Sequence, residues 1–293
     1  MRTFLATPRF VIGVVLLVPF ALCALLAEQL APHGPNELVA APFEAPFGEY
    51  RLGTDDLGRD VLSRLIFAAQ ADLKISLAST MLAAVVGVAI GLFAGYRGGL
   101  LDAAALRVTD VMLAFPSILL ALFLIAVVGR SDNVIILALS VLFVPGFIRL
   151  ARGLAIGIRH RGFVEASVLS GGGPVHVLVR HLLPNAIGPI LVDIALTASY
   201  ALLAAATLSY LGLGVQLPDP SWGNMLQSSF NWLFQDPWQG VFPGVCLAVV
   251  ALGYMTLSAG IEDALRRRGR TVASTTSLAA DLAVGGRTPG EPA

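Results

Sequence analysis

The chain has 293 residues, 56% of them hydrophobic and only 13% charged, with a mean hydropathy of +0.80. A water-soluble domain of this length does not carry so apolar a composition, so the expected class is an all-α polytopic membrane protein. Nineteen basic side chains balance nineteen acidic ones, which removes any global charge argument for nucleic acid and makes the placement of charge the informative quantity.

Crossing about 30 Å of hydrocarbon as a helix takes about 20 apolar residues. Six runs meet that length, approximately 10–28, 75–96, 111–129, 133–152, 187–213 and 240–261. The first follows Arg2 and Arg9, as a signal peptide would. Its uncharged stretch from Phe10 to Ala27 is longer than the usual signal core, so residues 1–28 are expected as a retained N-terminal span. Residues 29–73 form one long polar segment, including "APHGPNELVAAPFEAPFGEYRLGTDDLGRD". There Thr54, Asp55 or Asp56 can cap a helix, and Leu57, Val61 and Leu65 recur every four residues, which predicts a short helix lying on the membrane surface or on other helices.

Residues 74–265 hold the remaining five spans. Gly87, Gly91 and Gly95 stand four apart on one helix face and predict close backbone packing, within the chain rather than between copies. Pro116, Pro145 and Pro189 interrupt helical hydrogen bonding, which a membrane tolerates where neighbours or a cavity satisfy the freed carbonyls. Between spans four and five lies a charged, glycine-broken loop, residues 159–186, containing "FVEASVLSGGGPVHVLVRHLLP". Phe163 to Ser170 suits two helical turns, three glycines break them, and Pro174 opens a second short helix that Pro184 is expected to end by disfavouring helical geometry at Leu183. The result is either a protruding hairpin for a cytoplasmic partner or an ordinary interhelical loop. Asp193, near the inner end of the fifth span, either faces a pathway or snorkels to the interface. Trp222, Trp232 and Trp238 in the following loop are expected at the membrane interface. Cys23 and Cys246 fall inside apolar runs and read as core packing rather than a disulfide. Residues 266–293, poor in large apolar groups beyond Arg270, are expected as a disordered tail.

Cytoplasmic loops retain positive charge. With an inside amino terminus and six crossings, only Arg51, Arg59, Arg64, Lys74 and Arg130 of the 19 basic residues fall outside, so both termini are expected in the cytoplasm. Catalytic signatures are missing from the sequence. Lys74 is its only lysine and follows no glycine-rich turn, His33, His160, His176 and His181 show no HExxH spacing, and no GxSxG turn occurs. No catalytic, metal or cofactor site is therefore expected.

"EASVLSGGGPVHVLVRHLLP" resembles the cytoplasmic-loop signature of permease subunits of binding-protein-dependent ABC importers: Glu-Ala-Ala, three residues, Gly, nine residues, an apolar residue, any residue, then Leu-Pro. Glu165, Ala166, Gly171, Leu183 and Pro184 fit, while Ser167 replaces the second Ala and His181 the apolar residue. "LGTDDLGRDVLSRLIF" and "LSYLGLGVQLPDPSWGNML" are similar to stretches of the C-type permease of the peptide and nickel importers. Ala205 and Ala206 stand where that family often has Glu-Ala, and Gln70 where an Arg is frequent. The resemblance implies a type I ABC importer permease fold of six transmembrane helices in the bacterial inner membrane. It also implies half a translocation pathway for di- or oligopeptides, with nickel or another small solute as the alternative. Partners would be a homologous second permease, two ATPase subunits that bind ATP and Mg²⁺, and an extracytoplasmic binding protein. Phe163, Glu165, Ala166, Leu169 and Gly171 would form the ATPase contact.

Overall fold

Backbone polar groups in hydrocarbon have no water to bond, so apolar runs of this length resolve into helices that satisfy themselves. The computed structural model describes residues 7–285, with side chains through Arg267. Helix α1 (Pro8–Leu25) carries Pro8 at its first turn, and a four-residue α2 (Ala27–Leu30) follows. α1 lies along the last helix, α11 (Trp238–Gly285), where Arg9 pairs with Asp263 at 3.4 Å.

Helix α3 (Val61–Arg97) is 37 residues long. The short surface helix expected before the second span is not separate from it. Residues 54–60 form a turn, Asp60 is the cap, its carboxylate accepting the Ser63 N–H at 2.9 Å, and the helix then runs unbroken into the span. No glycine or proline occurs between Val61 and Val86 to stop it. Leu57, expected on the helix face, is 54% exposed in the turn. The turn is itself held by charge: the Asp55 carboxylate accepts the N–H of Leu57 (2.9 Å) and of Arg59 (3.0 Å), and its other oxygen accepts Arg59 Nε (2.7 Å). Arg64 reaches across to donate to the Pro35 carbonyl at 2.8 Å, which ties residues 31–60 down onto the start of α3.

The third expected span, 111–129, is not one straight helix. α4 (Gly99–Ala114) and α5 (Ser117–Val128) meet at 90°. Pro116 drives Phe115 into extended geometry (φ −83°, ψ 139°), which a helix cannot absorb. Among the described residues five helices are thus long and apolar enough to cross a membrane, or six if the bent pair counts as one crossing. α6 (Asp132–Arg159) packs along α3 on the glycine stripe. A Cβ at Gly87 would lie 2.5 Å from Phe147 Cβ, one at Gly91 2.5 Å from the Ile148 carbonyl oxygen, and one at Gly95 2.7 Å from that of Arg152. The stripe therefore serves packing within the chain, as its spacing suggests.

α7 (Gly162–Leu169) and α8 (Pro174–Val177) follow, then a π-helical turn (Leu178–Leu182) and α9 (Leu183–Tyr210). Pro184 does not end the second short helix. Leu183 keeps helical geometry (φ −57°, ψ −47°), and Pro174–Tyr210 forms one run. The wider π turn accommodates the ring and the missing donor at Pro184. α10 (Trp222–Phe230) opens on a capping box of Ser221 and Asn224. Trp222, expected at the interface, is fully buried among Leu65, Leu202 and Val250 in the core joining α3, α9 and α11. Its indole N–H has a partner in the Leu65 carbonyl at 3.2 Å, and this lets so large a ring stay inside. α11 continues past residue 261 into the expected tail, since no glycine or proline interrupts Thr271 to Val284. Residues 286–293 of that tail lie outside the described residues.

Candidate functional site

The loop between α6 and α9 is built around one turn. At the end of α7 the Gly171 N–H donates to the Val168 carbonyl (3.0 Å) and the Gly172 N–H to that of Ser167 (2.9 Å). This paired reversal requires a left-handed residue at Gly171, whose φ is +87°. Gly172 is needed for space, because a Cβ there would lie 2.7 Å from the Ser167 carbonyl oxygen. Gly173 then caps α8, with Pro174 at its first position.

A few apolar side chains anchor this hairpin. Val164, Val177 and Leu182 are buried with Ile158 and Ala186 in the core at the Arg97/Arg159 end of α3 and α6. The opposite face is left open: Phe163 is 41% exposed and Leu169 89%, with Glu165, Ala166 and Gly171 exposed beside them. Among the described residues Glu165 has no hydrogen-bond or ion-pair partner, and α7 is capped by no side chain. Phe163, Glu165, Ala166, Leu169 and Gly171, the residues that the resemblance implies for the ATPase contact, are therefore all exposed on the hairpin. His181, standing where the pattern has an apolar residue, sets its ring 6.0 Å from that of Phe163 and 5.8 Å from that of His176.

The same helical run lines a second feature. α9, α6 and the α4–α5 corner enclose a cavity of about 600 Å³. Asp193, Thr197, Tyr200 and Thr207 of α9 line one side, and Phe115 and Ser117 of the corner another. Asp193 is half-buried and without a partner among the described residues, six residues into the expected 187–213 span and within the longer helical run Pro174–Tyr210. The bend at Pro116 helps shape this space, so the proline has a structural consequence that its position in the sequence only hinted at.

Asp72 escaped the sequence reading. It is fully buried on α3, where Oδ2 accepts the Trp222 N–H at 2.8 Å and Oδ1 has no partner. It fastens α10 to α3, and an acidic residue inside an otherwise helical apolar stretch was the available signal. Trp238 remains half out of the protein and stacks on Phe242 (5.6 Å), and Trp232 packs edge-on against Phe43 (5.1 Å).

A family model described as "Binding-protein-dependent transport system inner membrane component" matches residues 87–271. The dipeptide transport system permease protein DppC of Alkalihalophilus pseudofirmus is 36% identical over 256 residues, covering 87% of this chain and 84% of that protein. The di/tripeptide transport system permease protein DppC of Pseudomonas aeruginosa is 36% identical over 260 residues (86% of each). The probable D,D-dipeptide transport system permease protein DdpC of Escherichia coli is 33% identical over 260 residues (88% and 87%). Among solved structures, an inward-facing form of the MetNI methionine ABC transporter aligns with a TM-score of 0.54 at 19% identity. That alignment covers 70% of this chain and 95% of the other, a likeness of fold.

Proposed function

Because the chain belongs to the family of inner-membrane components of binding-protein-dependent transport systems, we propose that it is the permease subunit forming half of the pathway of an ATP-driven importer for di- and oligopeptides. The peptide assignment is supported by the names of the relatives, which specify dipeptides and tripeptides rather than nickel. A homologous second permease supplies the other half, an extracytoplasmic binding protein delivers the peptide, and two ATPase subunits supply ATP and Mg²⁺ chemistry from the cytoplasmic side.

One observation carries the mechanism: the exposed face of Phe163, Glu165, Ala166, Leu169 and Gly171 sits on a hairpin whose second limb is continuous with the helix lining the Asp193 cavity. An ATPase that grips this face seats the two apolar side chains in its own surface and offers a basic group to the unpartnered Glu165. When the ATPase pair closes on ATP, the hairpin moves as a unit, because Val164, Val177 and Leu182 lock it to the α3–α6 core. The run Pro174–Tyr210 passes that displacement to Asp193, Thr197 and Tyr200 because it stays helical through Gly188 and Pro189. The cavity then alternates between two accesses, a rigid-body switch between discrete states. Both termini lie in the cytoplasm, with the bent α4–α5 pair as the sixth crossing and the basic residues gathered on the inner side.

The test is uptake of a labelled dipeptide by cells whose own importers are deleted, measured beside ATPase co-purification. Uptake that requires this chain, with ATPase subunits retained on it, is the expected result. A chain that isolates without ATPases and supports no dipeptide uptake overturns the proposal.

A further inference from the structure

A long apolar groove separates α3 from the α8–α9 run and shares no lining residue with the Asp193 cavity. It encloses about 570 Å³, with Met81, Val85, Ala89 and Phe93 on one wall and Val179 and Ile187 on the other. Val85 is 64% and Val179 60% exposed, a surface that an aqueous protein does not leave uncovered. From Met81 to Phe93 the groove runs about 18 Å along α3 at the helical rise of about 1.5 Å per residue. That is close to one leaflet of a hydrocarbon core about 30 Å thick.

The groove does not end in apolar surface. Past Phe93 and Val175 it meets a second cavity of about 400 Å³, lined by Tyr96, Arg97, Arg159, His160 and Pro174. The Arg97 guanidinium lies 5.9 Å from the centre of the Phe93 ring, at the junction of the two. Arg159 is held in place by donating Nη1 to the Gly95 carbonyl (3.1 Å) and Nε to His160 Nε2 (2.9 Å), so the rest of its fork faces the opening. Among the described residues no carboxylate lines this mouth. The nearby Asp102 is engaged by both Arg152 Nε and Arg152 Nη2 and also feels the charge of Arg159, so one carboxylate set against Arg97, Arg152 and Arg159 leaves the mouth net positive.

We propose that this face holds an anionic phospholipid, with one acyl chain in the groove between α3 and α9 and the phosphate between Arg97 and Arg159. The apolar length matches a lipid tail, and the two arginines stand where the headgroup of a lipid so oriented would lie, a basic pocket at the cytoplasmic boundary of packed helices. A peptide segment of a neighbouring subunit would gain from the groove but not from the cationic mouth. The proposal does not depend on the transported solute.

Native mass spectrometry of the detergent-purified full chain, with whatever subunits accompany it, tests this against added phosphatidylglycerol, phosphatidylcholine and inorganic phosphate. The expected result is preferential retention of phosphatidylglycerol. Arg97→Gln should weaken that retention about fivefold, the worth of one arginine at an anionic headgroup, whereas Arg107→Gln, an exposed arginine away from the mouth, should leave it unchanged. Ala89→Phe or Val85→Phe should fill the groove and lower retention with both arginines intact; the two variants guard against one that misfolds, as judged by elution and melting temperature. Equal retention of both lipids, an equal loss in Arg107→Gln, or unchanged retention when the groove is filled would overturn the proposal. So would displacement of the lipid by inorganic phosphate, or loss of a partner subunit in place of lipid when the groove is filled.

Discussion

Replacing Gly171 separates the backbone role of the loop from its contact role. Its φ of +87° costs a β-branched residue about 1–2 kcal/mol or more, while among the described residues no atom beyond its chain neighbours lies within 4 Å of the position a Cβ would take. Gly171→Val should therefore strain the turn without a clash inside the chain, weakening the hydrogen bonds that Gly171 and Gly172 donate to Val168 and Ser167 at the end of α7. At about 1.4 kcal/mol per decade, the native turn would lose about tenfold in population relative to a frayed one. That strain is confined to a surface hairpin, so the core clusters and membrane insertion should be untouched. Asn tolerates the left-handed region far better than Val, so Gly171→Asn keeps the turn and only adds a side chain to the exposed face. Both variants are assayed for labelled dipeptide uptake, ATPase co-purification and melting temperature in detergent. The expectation is loss of uptake in both, with ATPases retained or weakened and the melting temperature within a few degrees of wild type. Glu165→Ala should be milder, because one charge-assisted hydrogen bond contributes about 1.5–3 kcal/mol and the Phe163 and Leu169 surface remains. Normal uptake with ATPases attached in Gly171→Val would refute the coupling role and leave an ordinary loop.

Other expectations rest on separate contacts. Gly91→Leu should separate α3 from α6, since even a Cβ would sit 2.5 Å from the Ile148 carbonyl oxygen and 2.8 Å from Ala151 Cβ; a monodisperse, normally expressed variant would contradict the packing. Asp72→Leu leaves the buried Trp222 N–H without an acceptor and should destabilise by about 1–3 kcal/mol, read as a lower melting temperature, whereas Asp72→Asn retains an acceptor and should lose less. Single cysteines at the exposed positions Glu49 and Gln227 should react with an impermeant thiol reagent in intact cells and one at Arg161 should not; labelling at Arg161 inverts the proposed topology.

Features governed by neighbours a few residues apart were legible in the sequence. Apolar length alone marks the segments that become α1, α3, α6, α9 and α11. The run from Gly171 to Pro174 encodes a turn because left-handed geometry and a fixed proline φ are properties of those residues themselves. The Gly87, Gly91 and Gly95 spacing implies a close approach, although the sequence does not name α6 as the partner. Tertiary structure decided what depends on distant partners. Trp222 sits in the core rather than at the interface because Asp72, 150 residues earlier, and the Leu65 carbonyl satisfy its two N–H groups. Asp60 became the cap of α3, and Pro184 was carried through a helix by a π turn where local preference called for a stop. The bend at Pro116 matters because it brings Phe115 and Ser117 against the face of α9 that carries Asp193. The exposed loop surface and that cavity belong to one mechanical element only because the helix between them is continuous. Local preference cannot decide such continuity: the packing of several helices outweighs the penalty at one proline.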